Sequence, residues 1–404
     1  MADRPPVDDW TSDFDHTDPR WVNDPFPIWD DLRQRCPVAH TGRYGGVYFP
    51  SRYADVRAIA YDPEHFSSRR VVVRETPVPA ASPPITSDPP AHGPARRLLL
   101  PAFSPAAVKR LEPRTREICV ELIDRLVGRA SCDAAVDYAQ HVPVRVIAHM
   151  LGLPEADGDR FRTWIHMALE EGITDAARNR QAIGEMEAYF REQVARRRAA
   201  PGEDLISFLL GAELDGRPLG EAHLLGTLRL LLIAGIDTTW SAIGASLWHL
   251  AAHPADRRRL VAEPGLIATA LEEFLRAYAP VTMAREVAKE TALGGCTFAP
   301  GQMVLLSFPA ANRDPAAFPD ADRVVIDRAE NRHAAFGLGI HRCLGSNLAR
   351  MELRVALEEW LRRIPDFSLA AATVSWSQGT VRGPRRLPVR FGPAGALGEA
   401  PGRP

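Results

Sequence analysis

Between residues 96 and 279 the chain reads as one helical pattern after another with few breaks, and this run limits the fold more than any other feature. It predicts a mainly α architecture, with β structure confined to the flanks. Residues 41–50 (TGRYGGVYFP) predict a hairpin, and Ser51 is the expected cap of a helix running to about Ala60. Residues 291–307 predict a second hairpin turning at Pro300-Gly301, and residues 387–391 a last strand. Residues 71–94 are crowded with proline and form a long loop, a type of segment that tends to be functional inside a compact domain. No internal repeat and no linker between two cores is visible. The expectation is one large, mainly α domain over residues 1–391 with a small β portion, then a Gly/Pro/Ala-rich tail over 392–404, expected to be disordered.

Charge and cysteine usage narrow the function classes. The 49 Lys+Arg against 51 Asp+Glu leave a net charge of −2, which argues against nucleic acid or an anionic membrane surface as the main partner. Five widely spaced cysteines without a CxxC pair suit a reducing compartment better than a disulfide framework. The acidic, proline-rich N-terminus lacks the basic start and apolar centre of a signal peptide. The apolar run at residues 230–236 is short of the roughly 20 residues of a membrane span. A soluble cytoplasmic monomer is expected.

The densest chemical signal is Phe336-Gly-Leu-Gly-Ile-His341-Arg342-Cys343-Leu344-Gly345. After it, Leu344, Leu348, Met351 and Val355 share one helix face, so Cys343 is expected in a Gly-rich loop at a helix N-terminus. The helix dipole, free N–H groups and Arg342 would there favour thiolate over thiol. Gly337, Gly339 and Gly345 would let a flat, bulky ligand approach the backbone. A thiolate held by N–H donors and walled by Phe336 is what an axial haem iron ligand requires. A lone cysteine is otherwise best read as a core residue, but F-G-x-G-x-H-x-C-x-G is long and specific. In Leu228-Arg-Leu-Leu-Leu-Ile-Ala234-Gly235-Ile236-Asp237-Thr238-Thr239, a polar Thr falls on an otherwise apolar helix face, which marks a site. Ala234-Gly235 would leave room for a planar ring, and Thr238 could bond back to a carbonyl.

On these two motifs the sequence resembles the cytochrome P450 family, over about residues 20–391. The resemblance implies the family's triangular, mainly helical fold and haem b, with Cys343 as the axial iron ligand and His341 near a haem propionate. His92 and Arg96, and Arg285 in APVTMAR, match further propionate contacts, and Asn312-Arg313-Asp314-Pro315 with Phe318-Pro319 resemble the segment before the Cys loop. Ala234, Gly235, Phe336 and Gly345 would border the haem. Asp237 and Thr238 match the acid and alcohol that relay protons. Glu273 and Arg276, at i and i+3, match a buried pair with Arg328 as third member, a structural role.

The activity this resemblance implies is that of an O2-activating haem-thiolate monooxygenase, which hydroxylates or oxidatively dealkylates a hydrophobic small molecule. Electrons from NAD(P)H would arrive through a separate ferredoxin and ferredoxin reductase, with Arg96, Arg97, Lys109, Arg110, Arg342 and Arg350 as docking candidates. A peroxide-driven peroxygenase and a non-catalytic haem sensor are the rivals, both disfavoured by the intact Asp237-Thr238 pair. A cysteine-nucleophile enzyme with His341 as base explains the pattern less well. Ile233, Ala234, Val281, Met283 and Val381 are the expected pocket walls.

Overall fold

The computed structural model describes residues 5–76, 80–371 and 374–391, so the 392–404 tail lies outside the described residues. The frame is built from helices α1 (Tyr53–Ala60), α2 (His92–Leu99), α3 (Pro105–Asp124), α4 (His141–Leu151), α5 (Gly158–Leu169), α6 (Ala176–Ala199), α7 (Glu221–Ala252), α8 (Ile267–Ala277) and α9 (Ser346–Arg363). The 32 residues of α7 extend about 48 Å at 1.5 Å per residue. Leu228, Leu232, Ile236, Ile243, Leu247 and Leu250 on α7 are all buried, and so are Asp237, Thr239 and Ser241 between them. Burial on every side marks a core helix. An 18-residue window of α7 is apolar enough to cross a membrane, with mean hydropathy 1.4, yet 72% of it is buried inside the protein. The apolar character of this segment therefore extends beyond residues 230–236 and is consumed by the fold. α9 packs along α3, and α7 packs against α4, α6 and α9.

A five-stranded sheet flanks the helices in the order β1 (Val38–Thr41), β2 (Val47–Pro50), β5 (Met303–Ser307), β4 (Thr282–Val287), β3 (Phe66–Ser67). β1 and β2 are the expected hairpin, with Ala39 opposite Phe49. β5 runs parallel to β2 and antiparallel to β4, with Leu305 opposite Ala284. Every residue of β5 is buried, which accounts for its continuous apolar run, MVLLS. The last strand is Pro388–Phe391.

Two local expectations are corrected. Ser51 does not cap α1: its hydroxyl donates to Pro37 O, the N-cap is Arg52, and the remote Asp314 carboxylate accepts from Tyr53 N. A cap supplied by a residue distant in sequence leaves no local signature. The 291–307 segment does not fold as one hairpin turning at Pro300-Gly301. Thr291–Leu293 pairs with Cys296–Phe298 around Gly294-Gly295, which both have positive φ, and the Pro300-Gly301 turn releases β5 to pair with β4.

Candidate active site: a cysteine loop on an internal cavity

Cys343 precedes α9 in a loop closed by its own amide, which donates to Phe336 O at 2.6 Å. A turn at Gly339–His341 shapes the loop, and Gly337 and Gly339 have φ of +69° and +66°, the left-handed region glycine tolerates. A Cβ on Gly339 would lie 2.1 Å from Ala60 O at the end of α1, so this glycine seats the loop on α1. A Cβ on Gly345 would make only ordinary contact with Phe103, 3.8 Å away. Gly337 and Gly339 serve turns and loop packing, whereas Gly345 has little protein against it, and room for a flat ligand has to lie beside the loop.

The cavity gives that room. A void of about 560 Å3 is lined by the Cys loop (Phe336, Gly337, His341, Cys343, Gly345), by α7 (Leu230, Ile233, Ala234, Gly235, Thr238, Thr239) and by Val281, Met283 and Val381. Cys343 and Ala234 have exposed surface although Ala234 sits in the middle of a core helix, because that surface faces the cavity. Ala234 supplies the room on α7. Gly235 also reaches the cavity, and because a Cβ there would strike Ile147 at 2.4 Å its smallness also admits α4. Burial pushes the Cys343 thiol up; the Gly345 N–H and the Arg96, Arg342 and Arg350 guanidinia pull the other way without prevailing. The donor and the guanidinia thus act toward thiolate as expected, and burial opposes them; a cation on the sulfur would act in the same direction as the donors.

On α7, Thr238 bonds back as expected, its hydroxyl donating to Ala234 O at 2.7 Å. Asp237 is fully buried and points to different partners. Arg385 Nη2 lies 2.8 Å from Oδ1, an ion-pair contact, and among the described residues neither carboxylate oxygen receives a well-directed hydrogen bond. Burial pushes the Asp237 carboxyl up to about 6, with Arg385 pulling it down. Arg385 Nε donates to Glu170 Oε1 at 2.8 Å, and the half-exposed His166 lies 3.3 Å from the same oxygen. A chain of ionisable groups thus leads from the surface at α5 to Asp237. Neither Arg385 nor Glu170 carries any local motif, and both are distant from Asp237 in sequence, so the pattern of α7 could not point to them.

A third group of side chains brings together donors with little to donate to. The rings of His92 and His341 stand 4.3 Å apart, and Nε2 of each is buried without a partner. Burial, then Arg285, His92 and Arg96, push His341 down to about 3. Arg285 is buried, and among the described residues its guanidinium donates only to the adjacent Ala284 O; Arg96 donates to Arg342 O and lines the cavity. Such a cluster suits an anionic group at the cavity edge.

A sequence profile of the cytochrome P450 family matches residues 158–370. Mycinamicin IV hydroxylase/epoxidase of Micromonospora griseorubida is 39% identical, covering 89% of this chain and 94% of its own. The chain belongs to the cytochrome P450 family. Vitamin D(3) 25-hydroxylase of Pseudonocardia autotrophica is 36% identical over 93% of this chain and 96% of its own. The solved structure of the Bacillus subtilis polyketide synthase cytochrome P450 PksS superposes with a TM-score of 0.86 at 30% identity, covering 94% of this chain and 99% of that one. This chain is accordingly a P450 monooxygenase of the bacterial type, and its family's cofactor is haem. The residues present fit haem. The orphaned His92 and His341 nitrogens and the Arg96 and Arg285 guanidinia offer what two propionates need, and Cys343 faces the void. Among the described residues no group of three His, Cys, Asp or Glu could hold a bare metal ion.

Behind the Cys loop of this P450, Glu273 and Arg276 form a bidentate pair at 2.8 and 2.8 Å with neither side chain exposed. Arg328 Nε and Asn331 Nδ2 donate to Glu273 Oε2, Val325 N donates to Oε1, and Arg276 also donates to Asn312 O, Ala321 O and Arg323 O. A second link has no signature in the sequence. Arg350 grips Glu272 at 2.6 and 2.8 Å and lies 4.3 Å over the Phe336 ring, tying α8 to the Cys loop. Burial would raise the Glu272 carboxyl, but Arg350 and His333 bring it down to about 2. Arg350 is therefore engaged with the loop and Arg96 with the cavity edge. Arg97, Lys109, Arg110 and Arg342 are exposed and make no ion pair among the described residues.

Proposed function

We propose that this P450 hydroxylates or oxidatively dealkylates a mainly apolar small molecule held in the cavity between the Cys343 loop and α7, with electrons delivered by a separate ferredoxin and its NAD(P)H-dependent reductase. One observation carries the reading: Cys343 and the Ala234–Thr238 stretch of α7 line the same cavity, beside a cluster of otherwise unpaired cations and imidazoles. Haem held there through Cys343 would supply the oxygen activation and insertion chemistry, the thiolate ligand favouring O–O cleavage.

The chain's own residues would do the rest. His92, Arg96, Arg285 and His341 would hold the propionates and so fix the macrocycle in its plane. Ile233, Val281, Met283 and Val381 would exclude water and receive the apolar body of the substrate. Asp237, with a carboxyl that titrates at about 6, is able both to take and to give a proton near neutral pH. Arg385, Glu170 and His166 would connect it to solvent. The Thr238 hydroxyl, held by Ala234 O, would position the water that passes the proton on. Arg97, Lys109, Arg110 and Arg342 would meet an acidic ferredoxin.

Substitution of the cysteine tests the reading. Wild type reconstituted with haem b is expected to give the long-wavelength Soret band of a thiolate-bound ferrous carbon monoxide complex, and Cys343→Ser to lose it. Protein that takes up no haem, or a spectrum unchanged in Cys343→Ser, would refute this assignment.

A further inference from the structure

Among the described residues two cations that line the cavity outside the haem contacts and the relay, Arg70 and Arg74, have no ion pair, and of the two Arg74 is the one fixed in place by hydrogen bonds. Arg74, in the loop that precedes α2, lines the cavity. Its Nη1 donates to Ala168 O at 2.9 Å and Gly172 O at 2.7 Å, which are neutral carbonyls at the C-terminal end of α5. Among the described residues Nε and Nη2 have no partner, and no carboxylate pairs with the guanidinium. Burial with nothing to oppose it brings the Arg74 guanidinium down to about 10. Arg229, by contrast, lines the same cavity but is satisfied by Glu187 at 2.7 Å and by Ala81 O and Ser82.

Helix capping alone accounts for one nitrogen of Arg74 and leaves the charge. A cap needs donors to carbonyls, whereas a desolvated cation needs a counter-charge. The cavity provides none of its own. Among the described residues its one lining carboxyl is Glu352 on α9, fully buried without a partner and held neutral, far above the usual carboxylate range. Beside Arg74, the buried Asn179 amide donates to the same Ala168 O and also lines the cavity, so a guanidinium and an amide converge on one patch of an otherwise apolar wall. This patch belongs to α5, α6 and the 71–94 loop, separate from α2, β4 and the Cys loop that carry the propionate cluster.

We infer that the substrate carries a carboxylate, which docks on Arg74 beside Asn179 while the apolar remainder fills the cavity. The inference rests on the proposed function, because it takes the cavity to be a substrate pocket. It narrows the substrate class to amphipathic organic acids, with oxidation on the apolar part. A charge-assisted bidentate contact inside a desolvated pocket also selects against the neutral ester of the same molecule.

The test uses the haem-loaded full chain and straight-chain alkanoic acids of eight to sixteen carbons against their methyl esters, with affinity read from the substrate-induced Soret shift. The best acid is expected to bind about tenfold or more tightly than its ester. Arg74→Gln, which keeps a donor for the carbonyls, is expected to abolish that preference while leaving ester affinity within about twofold, and Arg74→Lys to retain part of it. Equal affinities for acid and ester, no shift with any acid, or a preference that survives Arg74→Gln would overturn the anion site while leaving the haem reading intact. Loss of haem from Arg74→Gln without a change in acid preference would place Arg74 on a propionate and also overturn it. A chain that binds no thiolate-ligated haem would overturn both.

Discussion

Glu273 and Asp237 are both wholly buried carboxylates in the same protein, and their surroundings are opposite. Glu273 receives donors on each oxygen, from Arg276, Arg328, Asn331 and Val325 N. Burial would raise it, but these partners hold it below the usual carboxylate range. Among the described residues Asp237 receives no well-directed hydrogen bond on either oxygen, and it is pushed up to about 6 in spite of Arg385. Full satisfaction freezes a charge and makes it scaffold; incomplete satisfaction leaves a proton free to move near working pH. The Cys loop is tied down by a site of the first kind, and the proposed relay uses one of the second.

Breaking the satisfied network is expected to have the largest effect. Glu273→Ala or Arg276→Ala strands a buried charge at about 3–5 kcal/mol, so haem-poor or insoluble protein is expected. Haem content and thermal melting check this, and two variants with full haem and normal stability would make the pair dispensable.

The relay side is expected to respond in its pH profile and much less in its stability. With protonated Asp237 as the proposed donor, turnover limited by proton delivery is expected to fall as pH rises through about 6. Arg385 pulls that carboxyl down against burial, and Arg385→Met is therefore expected to move the midpoint to higher pH. A midpoint that stays in place, or moves down, would remove Arg385 from the relay.

The smallest effect belongs to the surface. Reversing Arg97, Lys109 and Arg110 together is expected to slow reduction by an acidic ferredoxin about tenfold at low salt, and less as salt rises, with substrate-induced spectral shifts unchanged. Stopped-flow reduction of wild type and the triple variant at two salt concentrations checks it.

How much of this could be read from the chain alone follows the same division. Motifs compact in sequence were legible: the Cys loop, the Ala234–Thr239 turns of α7, the Glu273–Arg276 pair at i and i+3, and the β1–β2 hairpin. Contacts closed by residues remote in sequence were not. Asp314 capping α1, Arg350 gripping Glu272, and Arg385 with Glu170 beside Asp237 each join segments that only the tertiary fold brings together. The glycines were only half legible for a related reason. A Gly-rich loop announces close approach, but not whether the neighbour is a ligand, the end of α1 at Gly339 or the Ile147 side chain at Gly235.

The contrast between frozen and mobile buried charge is tested most directly by the hydrogen peroxide formed per NAD(P)H consumed, measured with a turned-over substrate in wild type, Thr238→Ala and Asp237→Asn. Thr238→Ala is expected to keep haem and substrate binding but to release much of its reducing power as peroxide, since the hydroxyl that positions the delivering water is gone. Asp237→Asn is expected to slow consumption overall, because the amide cannot carry the proton inward. Wild-type coupling in Thr238→Ala together with wild-type rate in Asp237→Asn would contradict the account.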